Sequence, residues 1–156
     1  MADKDTKSGW SFARSGDFQT AYSMLSRDIT AEPQRAPHYM NRGLVLLNLS
    51  QLVDAQRDFA RYRELEPQVS SGHIKFGLVL WLQNDIELAI ESWRRALHAT
   101  YTDEAGGVEA PALLYYAGLI TQDQERLDEA RGLLRKKWRS SMATVWQVRL
   151  SGIYWG

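Results

Sequence analysis

The chain has 156 residues, 44% of them hydrophobic, and its 19 basic and 19 acidic side chains cancel to zero net charge. That is one domain's worth of sequence, apolar enough to build a core, and it lacks the basic excess that a nucleic-acid surface needs. The absence of cysteine excludes disulfides, thiolate zinc sites and thiol nucleophiles. No run approaches the roughly 20 apolar residues that cross a bilayer, and the polar start MADKDTKSGW lacks the apolar stretch of a secretory signal, so a cytoplasmic location without membrane contact is expected.

Helix signals alternate with short turns along the whole sequence, and no strand-like alternation of β-branched residues interrupts them. A first helix is expected over roughly Thr6 to Arg14, broken by Ser15-Gly16-Asp17. There glycine supplies a left-handed helix end and Asp17 caps the next helix. The second helix carries Phe18, Ala21, Tyr22, Leu25 and Ile29 on one face, and Pro33 ends the unit.

A second unit opens at Ala36-Pro37, with proline in the first helical turn. Its helices carry Tyr39, Met40, Gly43, Leu44, Leu46 and Leu47, then Leu52, Ala55, Phe59, Tyr62 and Leu65, and Pro67 closes it. The third unit has Ile74, Phe76, Gly77, Leu78, Leu80, Trp81 and Leu82, a turn at Asn84-Asp85, and then Ile86, Ala89, Ile90, Trp93, Ala96 and Leu97. Asparagine at that turn also tolerates the left-handed conformation.

TYTDEAGGVEAP, residues 100–111, has turn chemistry and no periodicity and reads as an insertion. It is either a passive connection or an acidic contact loop built on Asp103, Glu104 and Glu109. Beyond it Gly118, Leu127, Ala130 and Leu134 restore the pattern, displaced by seven residues, and the stretch from Met142 to Trp155 reads as a final capping helix. The cluster Arg135-Lys136-Lys137 with Arg139 reads as the solvated end of the helix before it.

The pattern is internally repeated. Gly43, Leu46, Leu52, Ala55 and Phe59 recur 34 residues earlier as Gly9, Phe12, Phe18, Ala21 and Leu25, and 34 later as Gly77, Leu80, Ile86, Ala89 and Trp93. Three in-register copies of a 34-residue helix–turn–helix unit resemble the tetratricopeptide repeat family over nearly the whole chain. The resemblance implies an all-α, right-handed α-solenoid in a single domain. Its repeats would span roughly 2–35, 36–69, 70–103 and 111–141, with the insertion at 100–110 and the capping helix at 142–155. Small residues sit where paired helices approach, and Leu25, Phe59, Trp93 and Leu134 fill the space between pairs.

In this family the first helix of each pair lines a concave binding surface. Carried across, that face offers Lys7, Trp10, Arg14, Met40, Asn41, Leu44, Leu47, Asn48, Ile74, Lys75, Leu78, Trp81, Leu82, Tyr115, Tyr116 and Leu119. Of these, Trp10, Met40, Trp81, Tyr115 and Tyr116 would be apolar anchors, and Arg14, Asn41, Asn48 and Lys75 would orient a partner. A family clamp for a chaperone's terminal carboxylate is not expected. Asn41 and Lys75 match two of its positions, but Thr6, Trp10 and Ser71 occupy the other three and supply no positive charge. A competing expectation is that Leu44, Leu47, Leu78 and Leu82 pack against the chain's own tail.

No catalytic, metal or cofactor site is expected. His38, His73 and His98 are scattered without metal-ligand spacing, and His73 falls on a packing position. Gly106-Gly107 lacks the lysine context of a phosphate loop and reads as a turn, and Glu64/Glu66 and Asp128/Glu129 are ordinary helix-surface charges. The reading is a non-enzymatic module that binds a partner protein or peptide and neither nucleic acid nor membrane. It would serve as an immunity protein against a bacterial toxin, or as an adaptor or chaperone. The alternative is an assembly protein that self-associates through its repeat faces.

Overall fold

The computed structural model describes residues 8–102 and 107–151, with side chains of the last helix described as far as Arg139. Eight helices are seen among these residues: α1 Gly9–Arg14, α2 Phe18–Ala31, α3 Ala36–Asn48, α4 Leu52–Leu65, α5 Ser70–Leu82, α6 Ile86–Ala96, α7 Glu109–Thr121 and α8 Gln124–Ser151. The chain divides into two units, Met1–Tyr101 and Thr102–Gly156. In the first, each helix from α1 to α6 packs on the next, and in the second α7 packs on α8. The fold is the all-α helix–turn–helix array of tetratricopeptide repeats.

The period is enforced at the turns. Within each pair the first helix ends on a left-handed residue: Gly16 at φ 87°, Ser50 at 59° and Asn84 at 68°. The next residue donates its N–H back five positions, Asp17 to Phe12, Gln51 to Leu46 and Asp85 to Leu80, at 2.9–3.0 Å. This geometry satisfies carbonyls that the helix end would otherwise leave bare and reverses the chain in few residues. Ser50 was not an expected left-handed position, and the surrounding turn imposes it.

Close approach of the two helices requires the glycines. A Cβ on Gly43 would lie 2.7 Å from the Phe59 ring, and one on Gly77 only 2.5 Å from Trp93 Nε1. The Trp93 indole has nowhere to go. Its Nε1–H donates to the Ile74 carbonyl at 3.2 Å and its ring lies 5.6 Å from that of Trp81. Ala21, Ala55 and Ala89 are fully buried opposite the first helices, and Leu46, Ala55, Phe59 and Val79 join in one core cluster. Ile74 is buried rather than on an open face, at 1% exposure.

The fourth pair departs from the expected register. Its left-handed residue is Gln122 at φ 55°, and the Asp123 N–H returns to the Gly118 carbonyl at 3.0 Å. Gly118 therefore stands where Phe12, Leu46 and Leu80 stand, not where Gly9, Gly43 and Gly77 do. The offset from the third pair is 38 residues, a displacement of four rather than seven. The cause is an exchange of sizes. In the first three pairs a large first-helix residue meets alanine, whereas in the fourth Gly118 meets Leu127, whose Cγ would lie 3.0 Å from an added Cβ. Leu134 accordingly is not the counterpart of Trp93. That place falls to Arg131, whose guanidinium lies 5.7 Å from the centre of the Tyr115 ring.

Two further expectations are corrected. Helix α8 runs without a break to Ser151, because no glycine or proline stands between Gly132 and Gly152 to stop it. There is thus no separate capping helix from residue 142. Arg135, Lys136, Lys137 and Arg139 lie along the middle of α8 rather than at a helix end. Of the tail, Val145, Trp146, Val148 and Leu150 have side chains outside the described residues, and Ile153 and Trp155 lie wholly outside them. Thr6, Lys7, Asp103 and Glu104 also lie outside. The start of the insertion is pinned, not free: Tyr101 N–H donates to the Gln68 carbonyl and Ser70 N–H to that of Tyr101, both at 2.9 Å.

One ion pair links three helices. Arg42 of α3 holds Asp58 of α4 through Nε and Nη2, both at 2.7 Å, and reaches Ser26 of α2 at 3.2 Å. The Asp58 side chain is only 5% exposed, and periodicity gave no sign of it.

Four stability measurements test this packing. Gly77→Ala should lower the urea unfolding midpoint by the equivalent of about 1–3 kcal/mol through overpacking against Trp93. Gly132→Ala, with nothing within 4 Å of the added Cβ, should leave stability unchanged or raise it by up to about 1 kcal/mol. Asp58→Ala strands Arg42 and should cost about 3 kcal/mol, while the double replacement Arg42→Met/Asp58→Leu should cost much less.

Candidate functional site

The first helices bring part of the expected binding face together. Ser8 caps α1, its side chain accepting from the Ser11 N–H, and this sets Trp10, Ala13 and Arg14 against α3. With Phe18 of α2 and Leu44, Val45 and Asn48 of α3 they line a cavity of about 210 Å³. Four expected contact residues, Trp10, Arg14, Leu44 and Asn48, thus meet in one place. Ala13, Phe18 and Val45, which complete the wall, were read as core or left unremarked in the sequence, and helical pattern alone does not separate a core wall from a groove floor.

The chemistry of this cavity is apolar with a polar edge. Trp10 is 38% exposed, so part of its indole is open at the edge of the cavity. Asn48 donates its side-chain amide to the Leu44 carbonyl at 2.9 Å, which holds its orientation. Arg14 is exposed and has no ion pair among the described residues.

The other expected residues are spread further. Met40 and Leu47 are half-buried against the Leu46–Phe59 cluster, as is Leu44. Asn41, Lys75 and Leu78 are half-buried on α3 and α5, and Leu82 is exposed. Trp81 is half-buried with its ring tilted 33° against Trp93, so much of its surface is spent inside. Tyr115 and Tyr116 belong to the second unit, Tyr115 half-buried beside Arg131 and Tyr116 exposed.

His73 takes a structural place. Its carbonyl accepts from Ser92 Oγ at 2.8 Å, while its Nδ1 is buried without a well-formed hydrogen bond. Burial, then the Arg63 charge, push the imidazole below its ordinary value, offset in part by the Pro67 backbone. Among the described residues no three His, Asp or Glu side chains come together as a metal site, and no helix is long and apolar enough to cross a membrane.

The sequence matches no protein-family model and no curated protein. Solved structures share its fold. A MamA fragment from Desulfovibrio magneticus RS-1 superposes with a TM-score of 0.72 at 19% identity, over 85% of this chain and 72% of the other. The first TPR of Spaghetti (RPAP3), bound to the HSP90 peptide SRMEEVD, gives 0.66 at 17% identity, over 74% and 88%. The second TPR domain of human RPAP3, in complex with the HSP70 peptide SGPTIEEVD, gives 0.63 at 20% identity, over 70% and 88%. The likeness is one of tetratricopeptide-repeat fold.

The His73 environment makes a pH prediction. A histidine whose folded pKa is depressed binds fewer protons folded than unfolded, so stability rises with pH through that window. Its contribution is complete above the ordinary value of 6.5 and declines as pH falls below it. Between pH 7.5 and about pH 5, where carboxylates are still largely ionised, the melting temperature of the wild type should fall more than that of His73→Gln. Parallel curves for the two proteins would remove His73 as the cause.

Proposed function

We propose that this protein is a non-enzymatic protein-binding module, and that the cavity between α1 and α3 seats an apolar or aromatic segment of a partner protein or peptide. The observation that carries the reading is Trp10, 38% exposed at the edge of a 210 Å³ cavity whose other walls include Leu44, Asn48 and Arg14. Trp and Arg beside a desolvated pocket are the residues that dominate interface energies. The apolar part of the ligand fills the cavity and Arg14 and Asn48 orient its polar edge.

The similar repeat domains that hold HSP90 and HSP70 peptides support a peptide or protein as the ligand class. Trp10 and Ser71 stand at two positions where the family's carboxylate clamp would need different residues, which supports an apolar ligand in this cavity. Neutral net charge favours a protein over a nucleic acid. Immunity protein, adaptor and chaperone are roles that such a module serves, and the identity of the captured partner separates them.

One observation favours a second reading, self-association. Tyr116, Leu119 and Ile120 form a stripe at spacings of three and four on α7, exposed by 50%, 50% and 57%, and such stripes on a soluble protein mark contact surfaces. Sedimentation that shifts with protein concentration, and stops shifting in Leu119→Glu/Ile120→Lys, would establish it.

The groove is tested by affinity capture followed by titration of the captured partner against variants. Trp10→Ala/Arg14→Ala, both at exposed positions, should remain folded and bind at least roughly 30-fold more weakly. Equal binding by this variant and the wild type would overturn the assignment of the cavity.

A further inference from the structure

A second cavity, of about 270 Å³, lies among α4, α5 and α6, away from every residue of the groove just proposed. Its walls include Gln56 and Arg63 of α4, Phe76 and Leu80 of α5, and Leu88 and Arg95 of α6, with Glu91 and Ser92 completing it. Its floor is apolar and its charge is unbalanced. Arg95 is paired with Glu91 on its own helix. Arg63 has no ion pair among the described residues. Its neighbour in sequence, Glu64, is engaged by Arg61 at 2.8 Å.

Arg63 is also held in place. Its guanidinium carbon lies over the Phe76 ring, 3.8 Å from its centre, a cation–π contact that restrains the group. Its Nε is buried and has no hydrogen-bond partner. Burial, then the charge of Arg95, pull the group below its ordinary value, with Glu64 opposing. A half-buried cation lacking a counter-charge is costly to keep. A planar guanidinium facing such a deficit is matched by a carboxylate, which accepts two parallel N–H bonds.

We infer that the α4–α6 cavity is a carboxylate-binding site, in which Arg63 takes the acid group and Phe76, Leu80 and Leu88 receive a short apolar stem. A free aliphatic acid and a glutamate side chain of a partner protein present the same chemistry. Ser92, whose hydroxyl already donates to the His73 carbonyl, leaves the acid group to Arg63. This inference goes beyond the groove proposal and uses none of its residues, so the two fail independently.

The test is an NMR titration of the full chain at constant ionic strength, following the arginine side-chain N–H signals. The probes are sodium butyrate and, separately, a blocked tripeptide with a central glutamate. We expect saturable shifts of the Arg63 and Arg95 signals in the wild type; read at Arg95, binding should be at least roughly tenfold weaker in Arg63→Lys and absent in Arg63→Met. Saturation by butyrate assigns the site to a free acid, and saturation by the peptide alone assigns it to an acidic side chain. Failure of both probes to saturate, or equal shifts elsewhere on the protein in Arg63→Met, overturns the proposal. Leu88→Glu is the second variant, placing a carboxylate in the cavity covalently. It should raise the melting temperature and abolish probe binding, and a melting temperature lowered with probe binding intact would also overturn the site.

Discussion

The structure depends on one steric constraint: the two helices of each pair must come close enough for a large side chain of one to bury itself against a small residue of the other. Trp93 against Gly77 is the extreme case, where even a methyl group would intrude to 2.5 Å of the indole nitrogen. Phe59 against Gly43 repeats it. Because interiors are close-packed, such a fit has little slack. Everything that places a functional side chain follows from it, since the helix separation sets which faces are covered and which stay open.

The turns make that constraint periodic. A left-handed residue followed by a five-residue backbone return reverses the chain at Gly16, Ser50, Asn84 and Gln122. Each pair by itself buries too little to be stable, and stacking supplies the remaining core. The Arg42–Asp58 pair, with its reach to Ser26, adds a directional link between successive pairs where apolar contacts alone would tolerate sliding. The two cavities described above arise from the same stacking, one lined mainly by first helices and the other among α4, α5 and α6. They differ in chemistry because one is edged by an exposed tryptophan and the other by a stacked arginine.

Several side chains show how far pattern carries. Trp10, Arg14, Leu44 and Asn48 were legible as one face because α1 and α3 are related by the repeat, and their common cavity follows from that relation. Trp81 fits the same pattern, yet its ring is drawn against Trp93. Ile74 shares the periodicity of exposed neighbours and is core. Arg63 drew no notice as one surface charge among many. Only its stacking on Phe76 and the engagement of Glu64 by Arg61 set it apart.

By itself the sequence determined the all-α class, the 34-residue unit, the turns of the first and third pairs and the small residues at the helix crossings. These are local or strictly periodic properties, and the chain writes them out three times. Tertiary structure alone decided the register of the fourth pair, because exchanging large for small across a contact leaves the crossing filled while moving the apparent motif by three residues. It also decided which apolar residues remain exposed, the pairing of Arg42 with Asp58, and the placement of Arg63 against Phe76 without an ion pair among the described residues. Those depend on what a neighbouring helix presents at a distance of a few ångströms, and no spacing within one helix encodes it.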